Sequence, residues 1–178
     1  VFGVSAQEDQ NKVKTALIYK FTALVKWPAN NSDQFKILIY GKTPFYEQLK
    51  QLEGKKANGK TIFVIQTTDI EEIESASILY FPQVHESKIG QIVRQLGKSN
   101  TLLISDNAQV INKANVMINL VKNENTIKFE ILRPNFVTAE LIFNDKLLLL
   151  GGTEVEVAEI YNQMLAKSQE FERLLHNA

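Results

Sequence analysis

Between residues 10 and 26, apolar positions recur at helical spacing. Val13, Ala16, Leu17 and Leu24 form a stripe that also takes in Lys20, which predicts a first helix. Trp27-Pro28 ends it, because a residue before proline is pushed out of the α region. The run 35–40 is almost continuously apolar and is closed by Gly41, the pattern of a buried strand. Pro44 suits a first helical turn and opens a helix through Leu52. Beyond the turn-rich segment 54–60, β-branched and aromatic runs predict strands at 61–66, 77–81 and 101–105. Helical patterns at 70–74 and 87–96 separate them. Strands and helices in alternation imply βαβ units, a largely parallel sheet and right-handed crossovers.

The rhythm then changes. Two strand-like runs, 116–121 and 126–131, flank Lys122-Asn123-Glu124-Asn125 and predict an antiparallel hairpin. Pro134 opens another helix, and Lys146-Leu147-Leu148-Leu149-Leu150 carries an apolar segment up to Gly151-Gly152. The glycine pair marks a candidate boundary. Residues 154–176 contain no Gly or Pro. Val157, Ile160, Tyr161, Met164, Phe171, Leu174 and Leu175 fall on one face there, interrupted by Ser168. Glu154, Glu156 and Glu159 sit where a helix dipole favours negative charge.

The expected fold is therefore α/β: a mixed, largely parallel sheet flanked by helices, with a C-terminal antiparallel hairpin and an appended long helix. The expected divisions are 1–8, an α/β domain over 9–150, and a C-terminal amphipathic helix over 151–178. A lone helix of that length needs something to pack against. Its own domain is one choice, and a coiled coil with a second copy or a membrane partner is the other. Candidate contact residues are Trp27, Val157, Ile160, Met164, Phe171 and Leu175.

Charge narrows the function. Lys plus Arg and Asp plus Glu number 20 each, so the surplus of positive charge that nucleic acid or an anionic membrane surface demands is missing. Cysteine is absent, which removes disulfides, thiol nucleophiles and thiolate metal sites. His85 and His176 are the only histidines, and no metal or other cofactor is expected. No apolar run approaches bilayer-spanning length. Val1-Phe2-Gly3-Val4-Ser5-Ala6-Gln7 is apolar and small-residue rich before Glu8-Asp9. It reads either as the end of a secretory signal peptide or as a frayed N-terminus.

Three places could carry chemistry. The turn Tyr40-Gly41-Lys42-Thr43-Pro44 joins a buried strand to a helix, where α/β proteins offer amides to anions. Ser105-Asp106 lies at the carboxyl end of a strand, the edge at which such sheets bind ligands. Gly41, Thr43, Ser105 and Asp106 are thus the candidate ligand-binding set. The plainer reading is an ordinary turn and a helix cap. His85 has no partner nucleophile of the G-x-S-x-G kind, and no catalytic residue is assigned.

Several segments resemble the YfiR family of periplasmic regulators. They are Lys14-Thr15-Ala16-Leu17-Ile18-Tyr19-Lys20-Phe21 running on to Trp27-Pro28, then Phe35-Lys36-Ile37-Leu38-Ile39-Tyr40-Gly41 with Pro44-Phe45. Gly54-Lys55, Gly59-Lys60, Ser77-Ile78-Leu79-Tyr80-Phe81 and Leu103-Ile104-Ser105-Asp106 follow in order. Met117-Ile118-Asn119, Ile127-Lys128-Phe129-Glu130-Ile131 and a helix with Ala139, Leu141, Lys146, Leu147 and Leu148 complete the match, over about 12–150. The family's Gly-Gly before Met-Ile is Ala114-Asn115 here, and its Asn after Phe-Glu-Ile is Leu132. Its cysteine position is Ala76, so disulfide control cannot operate in this chain. The resemblance implies a secreted periplasmic protein without enzymatic activity. Such a protein binds an inner-membrane signalling protein, a diguanylate cyclase or a histidine kinase, and sets its output. A homodimer without membrane insertion is expected. The alternative is a periplasmic small-molecule sensor.

Overall fold

The computed structural model describes the backbone of residues 2–177, and the side chains of all of these except residues 2–5 and Val157. The chain opens with α1 (Phe2–Leu24), which passes directly into a two-residue strand β1 (Val25–Lys26). β2 (Gln34–Tyr40) leads to α2 (Phe45–Leu49), which tightens into a 3-10 turn through Leu52. β3 (Lys56–Ala57) and β4 (Lys60–Thr67) form a tight hairpin, then α3 (Ile70–Ile73) crosses to β5 (Ile78–Phe81). A 3-10 segment, Gln83–Lys88, precedes α4 (Ile89–Leu96), β6 (Leu102–Asp106), α5 (Val110–Lys113) and β7 (Ile118–Asn123). β8 (Thr126–Ile131) returns antiparallel to β7 across the turn at Glu124-Asn125.

β2, β4, β5, β6 and β7 are parallel and stand in the spatial order β4-β2-β5-β6-β7. Winding reverses between β2 and β5, which makes the carboxyl ends of those two strands the topological switch point. The aliphatic runs form strands because both faces are covered: every residue of β5 is buried, as are Leu102 to Ser105 of β6. The expected mixed, mostly parallel α/β sheet with its antiparallel hairpin is present.

Several details differ from the sequence reading. α1 starts at Phe2, ahead of residue 10, while Val1 lies outside the described residues. Its buried face is Lys14, Leu17, Ile18 and Phe21. Val13, Ala16 and Lys20 point to solvent, so of the expected stripe the helix buries Leu17 and turns inward the face that carries Ile18 and Phe21. Ile18 and Phe21 are fully buried on that face, and Lys14 can share it because it meets the Asp106 carboxylate beneath the helix. The 134–150 stretch holds three short elements, α6 (Arg133–Thr138), β9 (Ile142–Phe143) and α7 (Lys146–Leu149). β9 pairs antiparallel with β1, which ties this stretch to the end of α1.

At Gly151-Gly152 the chain rejoins the sheet as β10 (Gly152–Glu154), parallel to β8. Gly151 has φ +104°, a region that side chains rarely adopt. A Cβ on Gly152 would stand 2.6 Å from the Phe129 ring. The pair therefore marks a close approach of backbone to core. α8 (Val157–His176) follows and touches α5.

Candidate functional site

At the switch point the chain fills its own crevice. Gly41 adopts φ +73°, and a Cβ there would fall 2.5 Å from His85 Nε2. Only glycine lets the imidazole lie so close to the turn. The His85 ring stands edge-on to Tyr40 at 5.9 Å, and its Nε2 is 3.3 Å from the Lys42 carbonyl oxygen. Thr43 Oγ1 accepts from the Phe45 amide at 3.3 Å and so steadies the start of α2.

Ser105 and Asp106 are neighbours in β6 and so point to opposite faces of the sheet. Asp106 turns toward α1. Its Oδ2 lies 2.6 Å from Lys14 Nζ and accepts the Tyr80 hydroxyl at 2.5 Å. The lysine and aspartate side chains are 10% and 17% exposed, so both charges depend on each other. Tyr80 is buried against Phe45, ring centroids 5.0 Å apart. Burial first, and then the Asp106 charge, push the Tyr80 hydroxyl well above its ordinary pKa. It therefore stays protonated and keeps donating.

Ser105 turns to the other face, where a polar chain crosses three strands. Its hydroxyl is 2.7 Å from Asn119 Oδ1, which also accepts the Ala108 amide at 3.0 Å. Asn119 Nδ2 donates to Glu130 Oε2 at 2.9 Å, and Lys113 Nζ meets Glu130 Oε1 at 3.0 Å. Ser105, Asn119, Glu130 and Lys113 thus each have a partner. The arrangement fastens the loop after β6 and α5 to the sheet.

The four candidate ligand residues are not brought to one cavity. Gly41 and Thr43 are occupied by their own turn, Asp106 by Lys14 and Tyr80, and Ser105 by Asn119 on the opposite face. Sequence reasoning did not find Lys14, Tyr80, Asn119, Glu130 or Lys113. One signal was available: Asn119 is a polar residue inside the apolar run Val116 to Val121, and a central strand can hold it only with a partner.

Trp27 stands at the other end of the sheet. It is half-buried, edge-to-face on Phe35 at 5.0 Å, and its indole N–H donates to the Ser77 carbonyl at 3.1 Å. Beside it lies a cavity of about 680 Å³, walled by Phe35, Ile142 and Phe143, with Lys26 and Lys60 at its rim. On α8, Ile160 is buried. Met164, Phe171 and Leu175 are exposed, and the Val157 side chain is outside those described.

Comparison with known proteins bears on the core of this arrangement. The model of the YfiR/HmsC-like family matches residues 11–152. The chain belongs to the YfiR/HmsC-like family. The match runs from α1 to Gly152, the first residue of β10, so it takes in Lys14, Trp27, Asp106, Asn119 and Glu130. In this YfiR/HmsC-like chain α8 lies wholly past the matched residues. No curated protein matches the chain. Among the described residues, no helix is long and apolar enough to cross a membrane.

Proposed function

We propose that this chain is a non-enzymatic regulator that acts in the periplasm. It controls a membrane signalling protein, a diguanylate cyclase or a histidine kinase, by direct binding. Membership of the YfiR/HmsC-like family over residues 11–152 is the observation that carries this reading. Binding changes the partner's output by favouring one of its conformations, which requires a difference in affinity between them. Two surfaces are suited to contact. One surrounds Trp27 and Ile142, the latter 65% exposed. The other is the open stripe of α8, which we assign to self-association. The test is affinity capture by the full chain from detergent-solubilised membranes of the source organism. Recovery of a membrane cyclase or kinase is expected, and repeated empty capture would reject the reading.

The cavity beside Trp27 favours a second reading, a small-molecule sensor. Its volume of about 680 Å³ lies in the range of ligand pockets. Its rim carries two lysines and no carboxylate, which suits an apolar anion. A ligand of the native state must raise the melting temperature. A screen of apolar acids against the full chain and Lys60→Ala measures this, and no shift with any acid would exclude it.

A further inference from the structure

Helix α8 carries an apolar seam that its own domain does not use. Tyr161, Met164, Ser168, Phe171 and Leu175 alternate at spacings of three and four residues, the a/d rhythm of a two-stranded coiled coil. Tyr161, Phe171 and Leu175 are 62%, 63% and 61% exposed. The side turned to the domain is a different one. Ile160 is 4% exposed, and Lys167, seven residues on, donates to Gln109 beside α5 at 3.3 Å. One side of the helix is docked, and the adjacent side stands open.

The positions that flank the seam identify what covers it. With Tyr161, Ser168 and Leu175 at a, and Met164 and Phe171 at d, Lys167 falls at g and Glu172 at e. In a parallel, in-register pair each g position faces the other helix's e position five residues further on. Lys167, exposed and tied to Gln109 only by a surface hydrogen bond, then turns to Glu172 of the second copy on both flanks, while Ile160 stays docked on its own domain. An antiparallel pair with Ser168 against Met164 sets Lys167 against Lys167, and like charges repel; one with Ser168 against Phe171 sets Lys167 beside Leu174 and forms no such ion pair. A lipid surface fits less well. α8 holds Glu159, Glu170 and Glu172 against Lys167 and Arg173, without the basic surplus of membrane-surface helices.

We propose that α8 pairs in parallel and in register with α8 of a second copy of this chain. This deepens the self-association named above and does not depend on the membrane partner. It also holds the two α/β domains at the same end of the paired helices.

The chain contains no cysteine, so single cysteines report the geometry in the full chain. Ser168→Cys is expected to give a disulfide-linked dimer under mild oxidation. Glu170→Cys, on the outer face, should stay unlinked. In sedimentation, Lys167→Glu should weaken the dimer about tenfold. The double change Lys167→Glu with Glu172→Lys should restore it. A chain that stays monomeric at high micromolar concentration overturns both the pairing and the self-association reading. A dimer in which Ser168→Cys links only when mixed with Met164→Cys overturns the parallel register alone.

Discussion

At the carboxyl ends of β5 and β6, Asp106 is held by two groups of its own chain, Lys14 and Tyr80. On α8, by contrast, Tyr161, Phe171 and Leu175 are each more than half exposed. The strand ends have the place of a binding site in an α/β sheet, yet their polar groups serve packing. The α8 stripe has the pattern of an ordinary amphipathic helix, yet its large side chains are open. Position in a fold marks where a ligand could sit. Whether one does depends on what the chain's own side chains already occupy. Here His85 packs on Gly41 at the switch point and Asp106 is paired at the end of β6, while the segment beyond the match carries exposed apolar side chains.

Removing one partner from the closed region should produce the largest effect. Asp106→Ala leaves the Lys14 ammonium nearly buried beneath α1 without a counter-charge. Breaking a buried pair on one side costs about 3 kcal/mol or more. Urea denaturation should record that loss, while assembly through α8 stays unchanged. Replacing both partners, Lys14→Met with Asp106→Leu, should recover most of the stability, because an apolar pair carries no desolvation cost. If Asp106→Ala were neutral, the carboxylate would not be holding α1 in solution.

A smaller contrast lies inside α8. Ile160→Ala removes a side chain that is 4% exposed, and such truncations cost about 2–4 kcal/mol. Phe171→Ala removes one that is 63% exposed. It should change monomer stability by less than about 0.5 kcal/mol while weakening the dimer. Denaturation at low concentration, where the chain is monomeric, separates the two. Equal losses would mean that Phe171 packs on its own domain.

These contrasts show what the sequence made legible. The strands β2, β4, β5 and β6 were readable because burial on both faces demands continuous apolar runs. The β7–β8 hairpin was readable from its short polar turn. The rotation of α1 was not, since Lys14 on a buried face is intelligible only once Asp106, 92 residues later, is seen beneath it. For the same reason the Ser105–Asn119–Glu130–Lys113 chain was hidden, because each link joins residues on different elements. Gly152 read as a break in the chain, and its need arises from the Phe129 ring, which local sequence cannot reveal. The α8 stripe was visible from spacing alone, yet which of its residues dock and which stay open depended on α5.

The smallest effect should come from pH. The folded state holds the Tyr80 proton well above the ordinary tyrosine range, through burial and the neighbouring Asp106 charge. The unfolded chain releases it near pH 10. The stabilising contribution is therefore complete below about pH 10 and declines as pH rises beyond it, by at most ~1.4 kcal/mol per pH unit for one proton. Tyr80→Phe removes both the proton and the hydrogen bond to Asp106. It should lower stability at neutral pH by about 1–3 kcal/mol and flatten the fall above pH 10. Denaturation curves from pH 8 to pH 11 for the parent chain and Tyr80→Phe decide the matter. Lys50 and Lys98, whose pKa values are raised by Glu53 and Glu140, add to the same alkaline fall, so the test is the difference between the two curves: a limb as steep in Tyr80→Phe as in the parent chain would show that the Tyr80 proton does not contribute to it.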